Sequence, residues 1–252
     1  MKTIAILQAR MSSTRLPGKV LALIKNRPML EFMLERVQHA ELIDQVVVAT
    51  STDNSDDVLE DFCNHLKIKC YRGSLNNVLQ RFENAVNKYG GDYVVRLTGD
   101  CPLIDPRVID ATIQFFLNGG YDYASNTMPP TFPDGLDVEV FSKQALERSY
   151  KMAKTASELE HVTLYMRNHP EEFRLGGFLG MQDFSKLRWT VDEPEDLVLV
   201  RAIFNALYEE RITFGYQDVI DFLKKNKNLS QINSKFSRNE GMKKTNKKDS
   251  NE

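Results

Sequence analysis

Apolar positions along this chain fall alternately into short solid runs and one-sided stripes. Ile4, Ala5, Ile6 and Leu7 form a run too brief to be anything but a buried strand. Residues 29–40 carry Leu30, Met33, Leu34 and Val37 at the spacing of an amphipathic helix entered just after Pro28. A second buried strand is expected at 45–50, after which Ser51, Thr52, Asp53 and Asn54 offer cap oxygens to a helix reaching residue 66. A short strand at 68–71, a helix at 76–89 with Val78, Leu79, Phe82 and Val86 on one face, and a strand at 92–98 follow. Strands and helices in this rhythm imply right-handed crossovers and a mostly parallel sheet, an α/β fold of Rossmann-like character.

The second half is less regular. Asp105 and Pro106 predict the cap and first position of a helix to residue 117, ended by Gly119 and Gly120. A strand is expected at 121–125, then a loop over 126–133 whose three prolines suit the border of a pocket. Alternation along 134–141 puts Asp137 and Glu139 on one face and Val138 and Val140 on the other, so the two acids either bind hydroxyls or face water. Ser142 caps a helix through 152, and Ser157 with Glu160 fits a capping box. Pro170 breaks the next helix, 173–178 reads as a strand, and a strand ending at Asp192 leads into a helix begun by Pro194, with Glu195 and Asp196 in its first turn where the dipole favours acids. Helices at 197–208 and 216–223 close a single domain over 1–223, with a subsidiary lobe at about 126–180.

Composition narrows the class. With 33 basic and 35 acidic residues the chain is near neutral, so nothing global points to nucleic acid. From Lys224 onward basic residues outnumber acidic ones about three to one and apolar residues are few, which predicts a disordered basic tail over 224–252, interrupted by Asn239, Glu240 and Gly241. A polyanionic substrate must then be drawn by a local cluster rather than by the acidic body. Cys63, Cys70 and Cys101 lack paired spacing and are read as free thiols of a reducing cytoplasm. No signal peptide or membrane-inserting segment is predicted.

The candidate chemistry sits on residues 8–19, QARMSSTRLPGK, directly after the first strand. Open α/β sheets bind ligands over the carboxyl ends of their strands. Arg10, Arg15 and Lys19, beside Ser12, Ser13 and Thr14, supply fixed cations and small donors suited to a triphosphate, while Pro17 and Gly18 form a turn able to aim Lys19 back. A solvated basic loop is the plain alternative. Asp100, after the strand at 92–98 and beside Gly99, either ligates a Mg²⁺ carried by phosphates or caps its own turn.

These stretches resemble the sugar cytidylyltransferases. Ala9 to Lys19 matches the family's phosphate-binding signature, and Gln8 with Met11 is most similar to the group of spore coat polysaccharide biosynthesis protein F. The segment TGDCPLID resembles a family motif whose aspartate, here Asp100, holds the metal; VDEPED resembles a second, whose first aspartate is Asp192. The resemblance implies the fold of nucleotide-diphospho-sugar transferases, CTP and a small sugar as substrates, Mg²⁺ as cofactor, and a homodimer. It places Gln8, Ala9, Arg10, Ser13, Arg15, Lys19, Arg72, Gly73, Asn77 and Asp100 around the nucleotide, and Asp137, Glu139 and His161 towards the sugar. A glycosyltransferase of the same fold and a non-catalytic nucleotide binder are the alternatives. The first commonly grips metal with a D-x-D pair, which the lone Asp100 does not supply, and the second should have lost one of the five charged residues.

Overall fold

The computed structural model describes residues 1–208 and 214–238. In chain order the elements are β1 (Thr3–Gln8), a small hairpin of β2 (Leu23–Ile24) and β3 (Arg27–Pro28), α1 (Met29–Gln38), β4 (Gln45–Ser51), α2 (Asp57–His65), β5 (Lys69–Gly73), α3 (Val78–Tyr89) and β6 (Tyr93–Thr98). They continue with α4 (Pro106–Gly119), β7 (Tyr123–Ser125), β8 (Glu139–Ser142), α5 (Lys143–Met152), α6 (Ala156–Glu160), α7 (Leu164–Asn168), β9 (Leu175–Gly177), α8 (Pro194–Leu207), α9 (Tyr216–Lys225) and α10 (Lys227–Ser230).

One seven-stranded sheet runs in the order β5-β4-β1-β6-β8-β7-β9. β1 pairs in parallel with both β4 and β6, and only β8 runs against the rest. The sheet is therefore mostly parallel, as the βα rhythm predicts. Its strands read as solid apolar runs because both faces are buried. Along β1, Ala5 and Leu7 enter the core shared with α1, α2, α4, α8 and α9, while Ile4 and Ile6 enter the one shared with α3, α5 and α7.

Successive strands leave β1 on opposite sides, so its carboxyl end and that of β6 flank a switch point, where open α/β sheets leave a crevice. Gly99 lets the two crossing loops meet there: a Cβ on it would stand 3.0 Å from the Ala9 Cβ and 3.1 Å from the Gln8 carbonyl oxygen. The Gly99 amide donates to that carbonyl at 2.8 Å.

Local signals held at most helix ends. Asp105 accepts from the Arg107 amide with Pro106 in the first turn, Gly120 closes α4 in the left-handed region, and Ser142 caps α5 through the Ala145 amide. The capping box at 157–160 is a correction: Thr155 and Glu158 form it instead. Ser157 is buried at 2% exposure, out of reach of a role at the exposed helix start.

A tail beginning at Lys224 is also corrected. Within 224–238 the chain completes α9, forms α10 and turns back so that Asn233 is 3% exposed, with its amide bonded to the Arg188 carbonyl and the Asp196 carboxylate. Few apolar residues mark this stretch because hydrogen bonds and ion pairs hold it, which composition does not register. The Asn239, Glu240 and Gly241 triplet lies outside the described residues. No helix among the described residues is long and apolar enough to cross a membrane, and all three cysteines are free.

Candidate active site

A cleft of about 540 Å³ opens over the carboxyl ends of β1 and β6, within the size range of small-molecule sites. The loop after β1 forms one wall. Its shape is fixed from below by Asp56, a fully buried residue that sequence reading missed: Asp56 accepts from the Met11 amide at 2.7 Å and from the Ser51 hydroxyl at 2.5 Å. Burial alone would raise its pKa, but these donors hold the carboxyl below its ordinary value. The Gly18 amide closes the loop onto the Met11 carbonyl, with φ at 70°, and the chain re-enters as a 3₁₀ turn beginning at Lys19.

That geometry sends Lys19 inward. Its Nζ lies 2.8 Å from Asp100 Oδ2 and 2.7 Å from Asp192 Oδ1, joining the ends of two segments far apart in sequence. Burial works against charge on both Lys19 and Asp100. For Asp100, the Lys19 ammonium outweighs it and brings the carboxyl down to about 2; for Lys19, the two carboxylates outweigh it and raise the amine. Arg15 adds a contact to Asp192 at 2.8 Å and one to Glu193 at 3.4 Å. Arg10 and Ser13 line the same wall, with Arg10 exposed to solvent, and Gln8 and Ala9 form its floor.

Asp192 is held from behind. Arg188, buried under α8, donates to Asp192 at 3.2 Å, to Asp196 at 3.1 and 3.0 Å, and to Asp134 at 3.2 Å. Asp196 in turn accepts from the Asp192 and Glu193 amides, so the turn carrying Asp192 is fixed before any ligand arrives. Gly135 brings Asp134 alongside: its φ is 110° and a Cβ there would stand 2.6 Å from the Thr190 nitrogen, a contact only glycine tolerates.

The donor set suits a hard divalent cation. Two carboxylates already converge on one positive group, and among the described residues no cluster of three ligating side chains is present. The remaining oxygens would come from substrate phosphates and water, the usual way Mg²⁺ is held.

A sequence profile of the cytidylyltransferase family matches residues 4–242. The chain belongs to the cytidylyltransferase family.

This family member is 34% identical over 233 residues to the spore coat polysaccharide biosynthesis protein SpsF of Bacillus subtilis, spanning 88% of this chain and 93% of that one. It is similar in structure to a cytidylyltransferase from Leptospira borgpetersenii, with a TM-score of 0.87 and 35% identity over 92% of this chain and 97% of that one. A CMP:2-keto-3-deoxy-manno-octonic acid synthetase complexed with CTP shares the fold at a TM-score of 0.63 and 19% identity, covering 82% of this chain and 100% of that one.

Not every residue assigned to the nucleotide from sequence reaches the cleft of this cytidylyltransferase. Arg72 turns away: its guanidinium pairs with Asp57 at 2.6 Å and Glu60 at 3.0 Å and donates to the Ser51 and Asp53 carbonyls. Asn77 caps α3 by accepting from the Gln80 amide at 2.8 Å, and Gly73 packs against Arg81 and Tyr71. The cleft is lined from this region by Leu75, Val78 and Arg81 instead. Arg81 is 1% exposed and donates to the Ser74 carbonyl, leaving its Nε without a hydrogen-bond partner among the described residues. Burial brings its pKa down to about 10, so it still carries charge at neutral pH.

Asp137, Glu139 and His161 all line the opposite end, beside Thr127 and Pro130 of the proline-rich loop. Glu139 is largely spoken for: it pairs with Arg96 and accepts from Tyr123 at 2.7 Å and Thr163 at 2.6 Å. Burial opposes its charge, yet Arg96 and Arg167 bring it down to about 2. It therefore braces the pocket rather than offering itself as a free acceptor. The His161 Nε2 is buried with no hydrogen-bond partner among the described residues, and burial lowers its pKa, which leaves a neutral ring facing the cleft.

Proposed function

We propose that this cytidylyltransferase transfers CMP from CTP to a sugar acid or related sugar, releasing pyrophosphate, in the assembly of a cell-surface or spore coat polysaccharide. The observation that carries the reading is the meeting, in one cleft, of Arg10, Arg15 and Lys19 with Asp100 and Asp192. A sugar hydroxyl attacks the α-phosphorus in line and pyrophosphate departs. Arg10, Arg15 and Lys19 hold the β and γ phosphates and stabilise the charge that builds on the leaving group. Asp100 and Asp192 would hold Mg²⁺, which when bound polarises the phosphate and acidifies the hydroxyl. His161 and Asp137 face the acceptor end, where hydrogen-bonding side chains suit a polyhydroxylated ring.

The test is pyrophosphate release from CTP and Mg²⁺ with a panel of sugar acids that includes 3-deoxy-manno-octulosonate. Release that depends on an acceptor supports the reading. Consumption of nucleotide sugars with no release from CTP would assign the cleft to glycosyl transfer instead, and binding of CTP without turnover of any acceptor would make it a nucleotide binder.

A further inference from the structure

The chain returns to this cleft at the end of its described residues. Arg238 lines it, with a side chain 13% exposed. Its guanidinium pairs with Asp137, donates to the Phe132 carbonyl at 3.2 Å and lies 3.9 Å from Asp134. The segment that brings it there is fastened at several points. Asn233 donates to the Arg188 carbonyl at 2.9 Å and to Asp196 at 2.8 Å, Lys235 pairs with Glu195 at 2.7 Å, and Arg188 donates to the Ser237 carbonyl at 3.4 Å. The Arg188 guanidinium that steadies Asp192 and Asp134 thus also steadies the strap that carries Arg238.

Electrostatics gives Arg238 its task. Asp100, Asp134 and Asp137 crowd one side of the cleft, and carboxylates drawn out of water need paired cations. Lys19 meets Asp100 and Arg188 meets Asp134. Asp137 meets Arg238, which engages its Oδ1. Its Oδ2 has no hydrogen-bond donor among the described residues, on a side chain that lines the acceptor end.

We propose that Arg238 is a positioning residue for the acceptor sugar: it fixes and neutralises the Asp137 carboxylate so that Oδ2 accepts from acceptor hydroxyls, making the segment around Asn233 to Arg238 part of the acceptor site. The inference rests on the reading of the cleft as a site of nucleotidyl transfer. It assigns Arg238 no contact with the triphosphate, which is gripped at the other wall.

The experiment compares wild type with Arg238→Ala, Arg238→Lys, Asp137→Asn and the Arg238→Ala/Asp137→Asn double variant. The acceptor is the sugar acid that releases most pyrophosphate in the assay above. Arg238→Ala should raise the acceptor KM about tenfold, the size of one lost charged hydrogen bond, with the calorimetric CTP Kd held within about twofold. Lysine should restore most of the loss, and the double variant should be no worse than the poorer single one, since both changes cut the same contact. An unchanged acceptor KM, a matching fall in CTP affinity, or additive losses would overturn the proposal. Hydrogen exchange supplies an arm that needs no turnover: Arg238→Ala should speed exchange over 134–140 and leave 8–19 unaltered. Unaltered exchange at 134–140 refutes the positioning role even if no acceptor is found, whereas the absence of turnover with every sugar acid tells only against the proposed reaction.

Discussion

Lys19 donates to Asp192 at 2.7 Å across 173 positions of sequence, and in the same position it reaches Asp100. The ammonium therefore stands between the two carboxylates that would hold a divalent cation, and the two cations compete for the same oxygens. A triphosphate offers Lys19 alternative partners and relieves that competition. The free protein is expected to take up little Mn²⁺, a paramagnetic substitute for Mg²⁺, and to take up far more once CTP is present. Lys19→Ala should bind Mn²⁺ without nucleotide while losing about tenfold or more in CTP affinity. Electron paramagnetic resonance titration checks this, and a variant no better than wild type at binding Mn²⁺ alone would refute the competition.

Asp100→Asn should lower turnover by about a hundredfold to a thousandfold, the scale of losing one preorganised electrostatic group. The fold should survive, because Lys19 keeps Asp192 as a partner and no side-chain volume changes. Circular dichroism and the steady-state rate, measured on the same preparation, separate loss of chemistry from loss of structure. A fully active variant would remove Asp100 from the site.

Arg72 and Arg10 should differ in spite of their equal charge. Arg72 is committed to Asp57 and Glu60, so Arg72→Ala is expected to leave the CTP Kd within about twofold of wild type. Arg10 lies exposed on the cleft wall, so Arg10→Ala should weaken CTP about tenfold. Calorimetry on the two variants reads the contrast, and equal losses would restore Arg72 to the nucleotide.

Glu139 makes stability depend on acid. Its folded pKa of about 2 lies below its ordinary value of 4.5, so the unfolded chain binds the proton more readily. The stabilisation is present in full above pH 4.5 and is lost as pH falls towards 2. Glu139→Gln should cost about 3 kcal/mol at pH 7, because Arg96 is left buried without its charge partner. Urea unfolding at a series of pH values should show the gap between wild type and variant closing between pH 4.5 and 2. A gap that stays constant with pH would mean the carboxylate charge is not what stabilises the fold.

Much of this protein was legible in its order of residues. The solid apolar runs of β1 and β4 fixed buried parallel strands because only a sheet covered on both faces hides every side chain. Pro17 and Gly18 marked the turn that closes the loop after β1, and Asp105, Pro106 and Ser142 marked helix starts, since each acts through its own neighbours in the chain. The resemblance of the three charged motifs to the cytidylyltransferases was equally local.

Only the folded chain decided which charges meet. Arg72 and Arg81 are both cations in the same stretch, yet one is drawn to α2 and the other lines the cleft. Asp56 supports the loop after β1 from beyond β4, Arg188 binds Asp134, Asp192 and Asp196 together, and Arg238 closes on Asp137 from 101 positions away. Such pairings carry no periodicity and no fixed spacing. They are chosen by where the sheet delivers its loops and by the cost of burying a charge unmatched, and both are properties of three-dimensional packing.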